Sequence, residues 1–221
     1  DTVRPSVLVP SKADLLVFGM GERAIHEIAA RLSAGETVKQ LRNMRGVAYL
    51  MGAKEPLPAY VAAHGEPVTL PSFEEISPPD GAPQGPIREE DIRAGNRRPD
   101  YIAFAKMTRL VHHETNPLNA RVITQRHGDR TVVVNPPALP LDTREMDGIY
   151  ALPYRRTAHP SYTEKIPAAE MIKDSVTIMR GCFGGCTFCS ITAHQGRAIS
   201  SRSEDNVLAE LKTMVKDPEW K

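Results

Sequence analysis

Charge of one sign is missing from this sequence. Its 221 residues carry 28 Lys+Arg against 27 Asp+Glu, a net charge of +1. No global electrostatic footprint for nucleic acid or an anionic membrane follows from that balance, although a local basic patch is compatible with it. Long apolar runs are missing too, since none approaches the roughly 18 residues of a spanning helix. The start, Asp1-Thr2-Val3-Arg4-Pro5, lacks the layout of a secretory signal. Internal repeats are absent. Cysteine is scarce, at three residues, and an odd number of thiols does not make a secreted disulfide framework. With 41% hydrophobic and 25% charged residues the chain has ordinary globular composition, so wholesale disorder is excluded. The default expectation from this composition is a soluble, cytoplasmic protein.

Proline is plentiful but uneven. Nine of the 19 prolines fall between Pro56 and Pro99, and none occurs from Ala168 to Asp217. All three cysteines, Cys182, Cys186 and Cys189, lie inside that proline-free stretch. The shift near residue 168 predicts two units: an amino-terminal α/β domain over 1–168 with proline-rich connectors, and a second over 169–221.

Leu15-Leu16-Val17-Phe18 predicts a short buried strand closed by Gly19-Met20-Gly21. From Glu22 the pattern turns helical, with Ala24, Ile25, Ile28, Ala29 and Leu32 on one face and Gly35 as a stop. Gly46 to Gly52 predicts a second strand, and strand–helix–strand implies an α/β layer. Residues 53–99 predict loop, with Pro78-Pro79-Asp80-Gly81 and Pro83-Gln84-Gly85-Pro86 as turn chemistry. Asp100–His113 predicts a helix. Asn116-Pro117 predicts a cap opening another, running to His127 with Gly128 as its left-handed end. Thr131-Val132-Val133-Val134 predicts a strand stopped by Asn135-Pro136-Pro137, followed by a long irregular connector.

Ser175-Val176-Thr177-Ile178-Met179-Arg180 predicts a strand that runs into Gly181-Cys182-Phe183-Gly184-Gly185-Cys186-Thr187-Phe188-Cys189. Behind it Ser201-x-x-Glu204 fits a capping box for a helix carrying Val207, Leu208, Leu211, Met214 and Val215. The cysteines therefore sit on a strand-to-helix loop, where parallel barrels build their active sites. Their spacing is C-x3-C-x2-C. A tight loop can turn three sulfurs to one centre, and the glycines let backbone fold around a bulky object. Thiolates are the usual ligands of iron–sulfur clusters. Three of them leave one iron of a [4Fe–4S] cube open to an exogenous ligand.

Spacing, aromatic and flanking elements together resemble the signature of radical S-adenosylmethionine (SAM) enzymes. The string from Met179 to Thr192 resembles more specifically the YgiQ-type UPF0313 family. His112-His113-Glu114-Thr115-Asn116-Pro117, Asn135-Pro136-Pro137 and His159-Pro160-Ser161-Tyr162 resemble that family's amino-terminal half. The resemblance implies a [4Fe–4S] cluster on Cys182, Cys186 and Cys189, with Phe188 beside the adenine of SAM. It also implies reductive cleavage to a 5′-deoxyadenosyl radical acting on an unknown substrate, and an electron donor such as flavodoxin or ferredoxin. The fold implied is α/β, an amino-terminal domain followed by the first βα unit of a partial TIM-barrel-like core. A complete core needs more units, so 221 residues are expected to be a piece of a longer protein, inactive by itself. Val176, Ile178, Leu208 and Leu211 are then expected to lack partners.

Other readings compete. His194 could complete a Cys3His zinc site in a non-catalytic interaction module, although zinc sites usually take ligands as two separated pairs. Arg202-Ser203 also occurs in the related methylthiotransferases, which admits RNA or protein modification. Gly19-x-Gly21-x-x-Ala24 resembles a dinucleotide fingerprint without the acidic residue such sites need, and reads as a tight turn. With Glu22 it also resembles part of the cobalamin-binding domains, but no D-x-H-x-x-G motif accompanies it and bound cobalamin is not expected. Adjacent His112, His113 and Glu114 point to different sides of a helix, so hydrogen bonding at a helix end or between domains is expected instead of a shared metal. Arg180, Arg197 and Arg202 are candidates for meeting cofactor or cluster charge.

Overall fold

The computed structural model describes residues 3–77, 89–93, 99–153, 155–186 and 188–216. The two proline-rich turns read at 78–81 and 83–86 lie outside them. Helix α1 (Leu8–Ser11) precedes β1 (Leu16–Val17), and the Gly19–Gly21 turn delivers the chain into α2 (Glu22–Ser33). Gly35, at φ +89°, ends that helix as its position predicts. A 3-10 turn over Gln40–Asn43 leads to β2 (Val47–Met51).

The stretch predicted to be loop then holds α3 (Ala59–Ala63), β3 (Val68–Thr69), α4 (Phe73–Ile76) and α5 (Glu89–Arg93). Helix α4 opens on a capping box between Ser72 and Glu75, a signal the proline density masks. Helix α6 (Pro99–His113) follows as expected.

The predicted helix from Pro117 to His127 does not form. Asn116 makes a single turn, accepting from the Leu118 amide at 3.1 Å, and the chain enters β4 (Ile123–His127). Gly128 and Asp129 form the two-residue turn of a hairpin into β5 (Arg130–Val134). A left-handed Gly128 suits a helix end and a hairpin equally. The β-branched run Val122-Ile123-Thr124 and the waiting partner strand decide for the hairpin.

The sheet order is β1-β2-β5-β4-β3, with only the β3–β4 pair parallel. Both faces are covered, and strand alternation sorts the side chains. Tyr49, Met51 and Val133 meet Val61 and Val122 on one face. Ala48 and Val132 meet Leu8 on the other. Asn135 is buried beyond β5, and its side-chain amide donates to the Arg42 and Met44 carbonyls at 2.8 and 2.7 Å. The Asn-Pro-Pro stop thus fastens the 3-10 turn to the sheet.

The second connector also holds order. Helix α7 (Thr143–Tyr150) opens on a capping box between Asp142 and Glu145, and α8 (Pro167–Ile172) follows with proline in its first turn. Beyond them come β6 (Met179–Arg180), α9 (Ile191–His194), β7 (Ser200–Ser201) and α10 (Glu204–Met214). The expected first βα unit of a barrel takes a different form: β6 pairs antiparallel with β7 in a two-stranded sheet. No barrel is formed among the described residues, because a barrel strand needs parallel neighbours and none lies beside β6. Helix α10 is capped by Ser203, not Ser201. The Arg202 amide still bonds the Ile178 carbonyl at 3.0 Å, so the backbone stays extended one residue past β7 and the helix starts later. On α10 only Met214 is buried; Leu208 is 43% exposed and Ile178, before β6, 58% exposed. Val176 and Leu211 are half-buried, so the expected lack of apolar partners holds for two of the four residues. No helix among the described residues is long and apolar enough to cross a membrane.

Candidate cluster loop

The cysteine loop leaves β6 through Gly181, at φ +91°. A Cβ there would lie 2.0 Å from the Ala198 carbonyl oxygen, so only glycine fits. Two bonds staple the loop's start to the chain beyond α9. The Gly181 amide donates to Gln195 Oε1 at 3.2 Å and the Cys182 amide to the Gly196 carbonyl at 3.1 Å. The Cys189 amide donates to the Cys186 carbonyl at 3.2 Å, closing a turn around the last two cysteines.

All three thiols are free; Cys182 and Cys189 are half-buried and Cys186 is exposed. A Cβ on Gly184 would stand 3.3 Å from Cys182 Sγ and 4.0 Å from Cys186 Sγ. Two sulfurs thus face one point that is open only because residue 184 has no side chain. Among the described residues no three His, Cys, Asp or Glu side chains converge as a metal-binding group, so the third thiol and His194 do not join them here. Phe188 is 92% exposed and Phe183 81% exposed. Neither ring is committed to a core.

The arginines are better partnered than their loop context suggested. Arg180 pairs with Glu22, donates Nε to the Tyr150 hydroxyl at 3.1 Å, and reaches Met20 Sδ at 3.5 Å. Burial by itself lowers its pKa, but the bonds to Glu22 and Tyr150 outweigh that and hold it above the ordinary value. Arg202 is buried, pairs with Glu210, donates to the Thr177 carbonyl at 2.9 Å, and lies 4.4 Å from the centre of the Tyr150 ring. Arg197 is exposed, with Nη2 3.3 Å from His112 Nε2. That contact joins the end of α6 to the segment after α9, the bridging role expected of the His-His-Glu run. Glu114 of that run is buried against Arg121, accepting from its amide at 2.7 Å and its guanidinium at 2.7 Å. Desolvation raises its pKa, yet these bonds prevail and keep the carboxyl below its ordinary range.

Sequence reasoning did not find Tyr150, Asp147 or Gln195. The Asp142-x-x-Glu145 capping box was the available signal for the helix carrying Tyr150 and Asp147. Asp147 interacts with the Ser203 side chain and accepts from the Ser203 amide at 2.9 Å; the side-chain bond first and the amide second hold its carboxyl below the usual range, at the start of α10. A mostly apolar cavity of ≈ 210 Å³ lies between the Phe18–Met20 turn, Pro137 and the Ala193–Ala198 segment.

The model of the radical SAM N-terminal family matches residues 1–175, a span that ends before Cys182. The UPF0313 protein YgiQ of Salmonella typhimurium is 44% identical to this chain, over 97% of it and 34% of that relative. UPF0313 protein RPA0679 of Rhodopseudomonas palustris is 48% identical over 96% of the chain and 30% of the relative. UPF0313 protein GSU2873 of Geobacter sulfurreducens is 46% identical over 97% and 31%. The chain spans about a third of the length of the curated relatives it matches. No solved structure matches it.

Proposed function

Since the chain belongs to the radical SAM N-terminal family represented among UPF0313 proteins, we propose that the protein containing it is a radical SAM enzyme. The observation that carries this reading is the C-x3-C-x2-C loop itself. Three free thiols sit on glycine-opened backbone after β6, and two of them face the space beside Gly184. That donor set fits a [4Fe–4S] cluster, held by Cys182, Cys186 and Cys189. The chemistry such a cluster supplies is one-electron reductive cleavage of SAM to methionine and a 5′-deoxyadenosyl radical. Gly181 sets the direction in which the loop leaves the strand, and the Gln195 and Gly196 oxygens hold its first amides. Exposed Phe188 offers a ring face to the adenine. The electron comes from a low-potential protein such as flavodoxin or ferredoxin.

The test is anaerobic reconstitution of the full-length protein, followed by iron and sulfide analysis and a 5′-deoxyadenosine assay with dithionite. Cluster content should collapse in each of Cys182→Ala, Cys186→Ala and Cys189→Ala, and survive in His194→Ala. Stoichiometric zinc in the purified protein, lost in His194→Ala, would establish the interaction-module alternative and defeat the proposal. Phe188→Ala should keep the cluster and weaken SAM binding by about 1–3 kcal/mol, the scale of aromatic–base stacking. Unchanged affinity removes Phe188 from the site.

A further inference from the structure

The glycine turn between β1 and α2 was singled out by sequence and takes no part in the reading above. It touches the cysteine loop at both ends. On the entry side Arg180, two residues before Cys182, reaches Met20 Sδ at 3.5 Å and pairs with Glu22. On the exit side the His194 carbonyl oxygen lies 3.4 Å from where a Cβ of Gly19 would stand. Gly19 is at φ +68°, so the bend that brings the turn up to the loop is one that favours glycine.

The contact is more than a surface ion pair. Glu22 Oε2 is buried with no hydrogen-bond partner, whereas a solvated pair would leave that oxygen in water. Arg180 is also fixed from the side: Tyr150 accepts its Nε, and its guanidinium carbon lies 5.2 Å from that ring's centre. The same ring carries Arg202 at 4.4 Å, so one tyrosine on α7 steadies the arginines of both β6 and its continuation past β7. A long side chain held by a carboxylate, a hydroxyl and a ring has few ways to move.

We propose that the Gly19–Glu22 turn is the dock of the cysteine loop, and that Arg180 is the positioning residue through which the amino-terminal sheet domain sets the placement of Cys182. The redox part of this inference rests on the cluster reading; the docking part does not. A thiolate-bound cluster is anionic, so a neutralised Arg180 and a freed Arg180 give it different electrostatic surroundings. Removing the Glu22 charge favours the reduced cluster.

The experiment uses the full-length protein. In its cluster-free form, alkylation of Cys182 by iodoacetamide is followed by peptide mass spectrometry. Glu22→Gln and Arg180→Gln should each speed it by about fivefold, the effect of losing roughly 1 kcal/mol of docking. Arg180→Lys should restore part of the protection. The double variant should react no faster than Arg180→Gln, because both remove one interaction. Glu27→Gln, on the exposed side of α2, is the control and should change nothing. In reconstituted protein the midpoint potential of Glu22→Gln should move to more positive values. Additive effects in the double variant, unchanged alkylation in both singles, or an unmoved potential each overturn the proposal. A wild-type protein that takes up no iron overturns the cluster reading instead, and the alkylation series then decides the dock alone.

Discussion

Gly181 and Gly35 have nearly the same backbone angle and opposite surroundings. Gly181, at φ +91°, would bring a Cβ to 2.0 Å from a backbone oxygen that cannot step aside, whereas Gly35, at φ +89°, faces open space. Alanine at 35 should cost about 1 kcal/mol, the left-handed penalty alone. Alanine at 181 adds the clash and should cost about 3 kcal/mol or prevent the β6–β7 pairing altogether. Urea titrations followed by circular dichroism compare them, and equal effects would contradict the close approach. The glycine pattern around the cysteines was readable in sequence. Which glycine is indispensable was not, because the clashing oxygen belongs to Ala198, seventeen residues away along the chain.

At the scale of elements, β4 carries a pH dependence. His127 is buried, stacks on Phe73 with ring centres 5.1 Å apart, and has an Nδ1 with no hydrogen-bond partner. Burial pushes its pKa below the ordinary 6.5, with the Glu74 carboxylate opposing part of the shift. The folded chain therefore prefers neutral imidazole, and below pH 6.5 the unfolded chain takes up the proton first. This contribution to stability is fully present above 6.5 and declines as pH falls from there to the depressed folded value. His127→Gln should lose less stability than the wild type between pH 7 and pH 5, measured by denaturant midpoint. A parallel decline in both would remove His127 as the cause. A helix over this segment would give the histidine a different environment, so the titration belongs to the strand and its packing on Phe73.

For the whole molecule, the two sheets rest on different kinds of contact. The five-stranded sheet is buried on both faces, so Val133→Ala should cost about 2 kcal/mol through lost burial and a cavity. Around β6 and β7 the binding is ionic and aromatic, through Arg180, Arg202, Tyr150 and Glu210, while Ile178 and Leu208 face outward. Leu208→Ala should change the stability of the 1–221 chain by less than about 0.5 kcal/mol. In a full-length protein, of which this chain spans about a third in the matched relatives, the same change should cost about 2–3 kcal/mol. A large effect in the short chain would show that α10 already has its apolar partner.

Sequence alone determined what depends on near neighbours. Strand β2 and most of β5, helices α2 and α6, the stop at Gly35 and the cysteine spacing all follow from local pattern. The capping boxes at Ser72 and Asp142 were equally local, though hidden by flanking prolines. Tertiary structure decided whatever two distant segments had to settle together. It made β4 a strand, because β5 supplies hydrogen-bond partners that a helix would have found within itself. It moved the cap of α10 to Ser203, because Ile178 holds the Arg202 amide in extended backbone. It also brought Glu22 to Arg180 across 158 positions of sequence, and no window of residues read along the chain contains that contact.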